Sequence, residues 1–391
     1  MNGILKNFPV VFHQVFFLIA QLIILKFCGI KYSGSLAFIG AVSTFLAVLM
    51  NLRWDIEILV NRSREFHEYL LDASTSILFM LTLILVLNFL LGNPLQAHLI
   101  FSALAVAVHE VLVSILFAQN RIISYSFFRT IPAIALGCLA LLDFRSEIIW
   151  ALSYLLSSIL LYIYLANLFK RALQNLSIAR IKNIKFKGKI SAAITATTFS
   201  FLSAFFIIII KFNYGDEFVG LWSNTIRIFN FLISFLLAAS LPFALKRLSK
   251  KSINRHKIKT FFYFWLSFLP LVIIFYLLIT QYGIVIFSIF LPFNFDVTNT
   301  HLGYIFLIGV AISIVGSSQG LYQAMRQSNV LLLMIVATGF IGFIYTYDNT
   351  NLIFTRLIEL FLFLISGLVG MILLHLVFKL FFCDNSNEEI I

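Results

Sequence analysis

Apolar residues run through this chain in long blocks, not at the 3.6-residue or two-residue spacing of a half-buried helix or strand. A helix needs about 20 apolar residues to cross the ~30 Å hydrocarbon core of a bilayer. Twelve blocks fit that length, near 8–28, 35–52, 71–92, 97–118, 125–143, 148–168, 190–211, 218–245, 261–281, 302–323, 328–346 and 352–379. The stretch 282–300 is apolar only in its first half and reads as a short interfacial or re-entrant segment. The pattern predicts an all-α polytopic membrane protein with about 12 transmembrane helices in two six-helix halves. The halves are residues 1–169 and 190–391, joined by a basic cytoplasmic linker at 170–189. The apolar run after Lys6 has no small-x-small cleavage site and reads as the first span, not a removable signal.

Composition leads to the same class. Hydrophobic residues make up 61% of the chain and charged ones 11%, against roughly a quarter charged in a soluble domain. So little charge cannot cover a water-facing surface, and lipid must be the solvent. The net charge of +12 would suggest nucleic acid in a soluble protein. Here the basic residues sit in short segments between apolar blocks, the pattern of cytoplasmic loops beside anionic lipid, and nucleic acid is not expected as a partner.

Placing the N-terminus in the cytoplasm puts 22 Lys and Arg residues inside and five outside, with Arg227 within a span. The linker alone carries seven basic residues and no acidic ones. Both termini are therefore expected to be cytoplasmic in a multi-pass plasma-membrane protein.

The three cysteines, Cys28, Cys138 and Cys383, are far apart and form neither a disulfide framework nor a metal site. No GxGxxG, P-loop, HExxH or GxSxG pattern occurs. The candidate chemistry lies in ionisable residues inside spans, which are costly there. His109 and Glu110 fall in the middle of the fourth span; neighbours point about 100° apart on a helix, so both cannot face one narrow stripe. Glu110 reads either as a carrier of a proton or Na⁺ or as a neutral acid bonded to a neighbouring helix, and His109 as structural. Arg227 lies about 14 Å into the eighth span at 1.5 Å per residue, too deep for easy snorkelling. Its guanidinium fork suits phosphate oxygens; the competing reading is a buried ion pair with an acid such as Glu110. Arg53, Asp55 and Glu57 close the second span, where Arg53 and Glu57 are also placed for a local i,i+4 pair. Arg121 and Arg129 flank a short cytoplasmic turn within reach of an anionic headgroup. Pro132, Pro242, Pro270 and Pro292 mark expected kinks.

Three stretches carry a family resemblance. Arg53-Trp54-Asp55-Ile56-Glu57-Ile58 resembles the R-Y-E-x-A-I signature of the bacterial oligosaccharide flippases, with Trp54 for Tyr, Asp55 for Glu and Glu57 for Ala. Val219-Gly220-Leu221-Trp222 through Arg227-Ile228 is similar to their V-G-x-[YW]-x-x-x-x-R-[IL] pattern. Gly320-Leu321-Tyr322-Gln323-Ala324 resembles their G-x-x-Q-A ending of the tenth span. Those flippases belong to the multidrug/oligosaccharidyl-lipid/polysaccharide exporter (MOP) superfamily.

The resemblance implies translocation of undecaprenyl-pyrophosphate-linked oligosaccharide repeat units to the outer leaflet by alternating access, for O-antigen or another surface polysaccharide. It implies no cofactor, leaves coupling to H⁺ or Na⁺ open, and suggests a polysaccharide polymerase and a chain-length regulator as partners. On this reading Arg53, Arg129 and Arg227 contact pyrophosphate or sugar, and Asp55 and Glu110 couple or gate the cycle.

Two rivals are expected to differ in visible ways. An oligosaccharide polymerase would carry a large external loop with arginines, whereas the longest outside loop here, about 20 residues at 282–301, has no Lys or Arg. A drug or cation antiporter of the same superfamily would show buried acids in the first span, which has none.

Overall fold

A computed structural model describes residues 12–52, 54, 58, 66–174, 187–229, 231, 254–289, 297–325, 327–348 and 353–382. These residues form helices and short connections. In chain order the helices are α1 (Phe12–Asn51), α2 (Phe66–Leu90), α3 (Ala97–Ala118), α4 (Ile122–Leu141), α5 (Ile149–Tyr164), α6 (Ala166–Gln174), α7 (Lys187–Tyr214), α8 (Asp216–Phe229), α9 (Asn254–Ser288), α10 (Asn299–Ala324), α11 (Ser328–Asp348) and α12 (Phe354–Phe382). Among the described residues, seven helices are long and apolar enough to cross a membrane. The apolar helices Ile149–Tyr164, Ala204–Tyr214 and Asn329–Ile341 are shorter.

Helix boundaries follow the apolar blocks closely at α3, where the expected 97–118 and the observed Ala97–Ala118 coincide. Two differences concern the expected connections between spans. The expected spans 8–28 and 35–52 are not separated by a loop: α1 runs 40 residues, interrupted only at Gly29, whose φ of 84° and ψ of 169° are not helical. A left-handed φ is cheap only for glycine, so one residue suffices to end one crossing and start the next. The second difference is at 282–300, where α9 continues to Ser288 and residues 290–296 lie outside the described residues. The Asn299 side chain accepts from the Ile284 amide at 2.7 Å and donates to the Gln281 carbonyl at 2.9 Å, fastening the start of α10 to this extension.

The outward faces are those of a protein in lipid. Phe79, Phe89, Phe363 and Leu374 are 61%, 75%, 73% and 71% exposed, on faces too apolar to be solvated by water.

Packing divides the chain into two units, Met1–Asn224 and Thr225–Ile391. In the first, α1 packs on α3, α4 and α7, and α5 closes against α3 and α4. Lys211 at the end of α7 pairs with Asp216 at the start of α8 and lies over the Phe38 ring. A Cβ on Gly34 would collide with the Asp216 carbonyl, and one on Gly220 with the Ile30 carbonyl. These reciprocal glycines let α1 and α8 meet backbone to backbone, and the Asn224 amide reaches the Ser33 hydroxyl at 3.0 Å across that contact. Residues 175–186, most of the expected linker, lie outside the described residues.

In the second unit α10 is central, packed on α9 and α12. The Trp265 indole donates to the Ser317 hydroxyl at 2.9 Å. The Tyr322 hydroxyl and His375 Nδ1 are 2.7 Å apart, with the two rings stacked.

Candidate functional site

The polar centre of the first unit grows out of one proline. In α4 the Phe128 carbonyl would normally accept from the amide four residues on, but that residue is Pro132 and has no N–H. A bare carbonyl in a bilayer is costly. Two neighbouring helices supply the missing donor: His109 Nε2 of α3 lies 3.3 Å from the Phe128 oxygen, and the Ser157 hydroxyl of α5 donates to it at 2.9 Å. One backbone oxygen thus ties α3, α4 and α5 together.

The contact also fixes the histidine tautomer. A carbonyl can only accept, so Nε2 carries the hydrogen and Nδ1 in the neutral ring is a bare acceptor. That Nδ1 is buried and has no hydrogen-bond partner. The group nearest to it in charge terms is Glu110, with Oε1 at 4.0 Å. Although the two side chains leave the helix in different directions, the longer Glu110 chain bends back toward the imidazole. His109 is 1% exposed and Glu110 32%. The Tyr154 ring of α5 meets the His109 ring edge-on at 5.2 Å, and Trp150 and Phe17 extend the aromatic wall to α1.

Arg129 follows Phe128 on α4, about 10 Å into the helix at 1.5 Å per residue. It is half-buried. Its guanidinium donates to the Tyr125 hydroxyl one turn earlier and also lies over that ring, 5.5 Å from the centroid. Glu110 and Arg129 act on one another electrostatically, but no carboxylate among the described residues lies within ion-pair distance of Arg129. The site therefore presents a cation with unused donors, an acid, and a histidine with an unfilled lone pair.

Of the sequence candidates, the structure brings Glu110 near Arg129, with His109, expected to be structural, bonded to the Phe128 carbonyl between them. Arg227 is half-buried in the last turn of α8 and belongs to the second unit. Arg53 and Asp55 lie outside the described residues, as does Glu57. Between them Trp54 is anchored: it is 1% exposed, its indole donates to the Ser76 hydroxyl at 2.8 Å, and its ring meets Tyr69 edge-on. Tyr125, Tyr154 and Ser157 were not singled out from sequence. The spacing of Phe128 and Pro132 was the available signal, since a proline inside a helix always leaves the carbonyl four residues earlier without its donor.

No protein-family model matches the chain, and no curated protein matches it in sequence. Solved structures do. A multidrug resistance MATE family transporter of the MOP superfamily, in its inward-facing conformation, superposes with a TM-score of 0.62 at 11% identity, over 96% of this chain and 97% of that one. A MOP superfamily transporter from Pyrococcus furiosus, described as having a binding pocket of reverse polarity that suggests a different function, gives 0.60 at 13% identity, over 96% and 93%. The MATE multidrug transporter DinF-BH, solved with a ligand bound, gives 0.56 at 16% identity, over 98% and 95%. Identities this low carry architecture and nothing finer: the chain has the twelve-helix fold of the MOP superfamily transporters.

Proposed function

We propose that this protein is a membrane transporter that flips undecaprenyl-pyrophosphate-linked oligosaccharide repeat units from the cytoplasmic to the periplasmic leaflet, for O-antigen or another surface polysaccharide. The observation that carries the reading is Arg129, a cation held inside a helical unit and engaged by a neutral tyrosine, with no carboxylate at ion-pair distance among the described residues. Placing a guanidinium there is costly, and a ligand phosphate would offset that cost while filling its fork of donors. Arg227 and Arg53 supply further cationic contacts to the pyrophosphate or sugar, and Glu110 and Asp55 gate the cycle. Two six-helix halves about the 170–189 linker open alternately to the two faces. The isoprenoid tail stays in the bilayer, so only the headgroup crosses the protein.

A second reading, a multidrug antiporter, is favoured by the names of the structural relatives. Against it stands the sign of the charge, since a cationic drug is poorly served by an unneutralised arginine. The relative with a pocket of reverse polarity is consistent with one architecture serving cargo of either sign.

Deleting the gene and analysing both surface glycan and lipid-linked intermediates separates the readings. The expected result is loss of surface polymer, with single lipid-linked units accumulating on the cytoplasmic face. Intact glycan with increased retention of a cationic dye would establish the antiporter instead. Single units that reach the outer face but never form chains would mark a polymerase.

A further inference from the structure

The Nδ1 of His109 takes no part in the bond to the Phe128 carbonyl, for which the amide N–H of a glutamine would also serve; the ring itself packs on Tyr154. Histidine adds a second nitrogen, which here is buried without a hydrogen-bond partner and lies 4.0 Å from a carboxylate oxygen. A proton placed between Nδ1 and Oε1 would turn the bare acceptor into a donor to Glu110, after a side-chain movement of about 1 Å to reach hydrogen-bond length.

The charges around this pair are few. Among the described residues, two act on His109: the negative Glu110 on α3 and the positive Arg129 on α4. Tyr125 of α4 and Tyr154 of α5 are the neighbouring titratable rings. The described parts of α1 and α2, which also pack on α3, contribute no charge to His109. Among the described residues, Arg129 is therefore the one group whose neutralisation strengthens proton binding.

We propose that His109 and Glu110 form a proton-binding site whose affinity is set by whether an anion occupies Arg129, so that a proton and anionic cargo bind together. The anion half of this linkage rests on the cargo reading above; the proton half rests only on the geometry of His109, Glu110 and Arg129. Linkage between two ligands is reciprocal: an anion at Arg129 draws a proton onto the pair, and a lower pH tightens the anion. No bond other than the proton's is made or broken. The pair takes one proton from water when the anion arrives and returns it when the anion leaves.

The test is a pH titration of ring-¹⁵N histidine signals in the full-length protein in lipid nanodiscs, with the His109 signal identified by its loss in His109→Gln. The glutamine amide keeps a donor for the Phe128 carbonyl, so this variant retains the three-helix tie. In the wild type, Nδ1 of His109 gains a proton as the pH is lowered across the range of the titration. Arg129→Gln moves that midpoint up by about one pH unit, a tenfold gain in proton affinity. Arg129→Lys leaves it in place, and Glu110→Gln moves it down. Farnesyl diphosphate, the anionic probe, moves the wild-type midpoint up as Arg129→Gln does, and has no effect in that variant. A His109 ring that takes no proton in this range, or a midpoint that Arg129→Gln leaves unchanged, overturns the proposal. A midpoint that responds to Arg129→Gln but not to farnesyl diphosphate overturns the anion linkage and counts against the cargo reading, while the proton site stands.

Discussion

Pro132 leaves one carbonyl without its helical donor, and the site follows from how that vacancy is filled. The Ser157 hydroxyl and the His109 imidazole both meet the Phe128 oxygen, so each is a separable contribution to holding α5 and α3 on α4. Ser157→Ala should cost about 1 kcal/mol, the net worth of one buried hydrogen bond, read as a lower midpoint of thermal unfolding in detergent. Pro132→Ala restores an amide that competes for the same carbonyl. It should weaken the His109 contact and lower transport while leaving the unfolding midpoint equal to or above that of the wild type, since a helix-interior proline is itself costly. Arg129→Gln should reduce binding of a diphosphate lipid at least about tenfold in a nanodisc assay, the scale of one charge-assisted contact. Tyr125→Phe should reduce it less, because the tyrosine orients the guanidinium but carries no charge. Equal affinity of Arg129→Gln and wild type would remove Arg129 from the substrate contacts.

At the scale of the elements, the approach of α1 to α8 depends on two glycines. Gly34 and Gly220 each face a backbone carbonyl of the other helix, so any side chain at either position must push the helices apart. Gly220→Ala should cost about 1–3 kcal/mol by overpacking and lower the unfolding midpoint. An equal substitution at Gly339, where a Cβ meets nothing within 4 Å, should be close to neutral. Comparing the two variants in one melt separates close approach from the general cost of altering a glycine. Trp54 shows the same logic beside a candidate charge. The aromatic in Arg53-Trp54-Asp55 is held by Ser76 and Tyr69, so this position of the motif has a packing role.

At the scale of the molecule, the asymmetry of basic residues predicts a topology that cysteine labelling can check. A cysteine placed at Asn93 or Asp143 should react with an impermeant maleimide from outside intact cells, and one at Asn120 should react only after the membrane is opened. These three positions lie in connections between described helices. Labelling of position 120 from outside would invert the orientation and, with it, the assignment of both termini to the cytoplasm. The loop that carries Asp143 is pinned at that end of the bundle: Arg145 bonds Asp143 at 2.6 Å, and Tyr32 donates to the Ser146 carbonyl at 3.0 Å.

The apolar blocks by themselves determined the helical membrane class, the extent of α3, and much of α2, α4, α10, α11 and α12, because crossing a bilayer is a matter of length and hydropathy that a sequence states directly. They also placed His109 and Glu110 inside an apolar block, where lipid makes ionisable residues costly. The kink at Gly29 was not legible as such: a chain can leave a helix through one left-handed residue as readily as through a loop, and hydropathy does not distinguish them. The approach of the start of α8 to α1 came from glycine-to-carbonyl contacts between distant parts of the chain. Only the tertiary structure decided that His109 and Ser157 share the Phe128 carbonyl, and that Glu110 turns back to His109 beside Arg129. The reason is physical: a proline announces an unpaired carbonyl, but which side chains satisfy it depends on which helices lie against it.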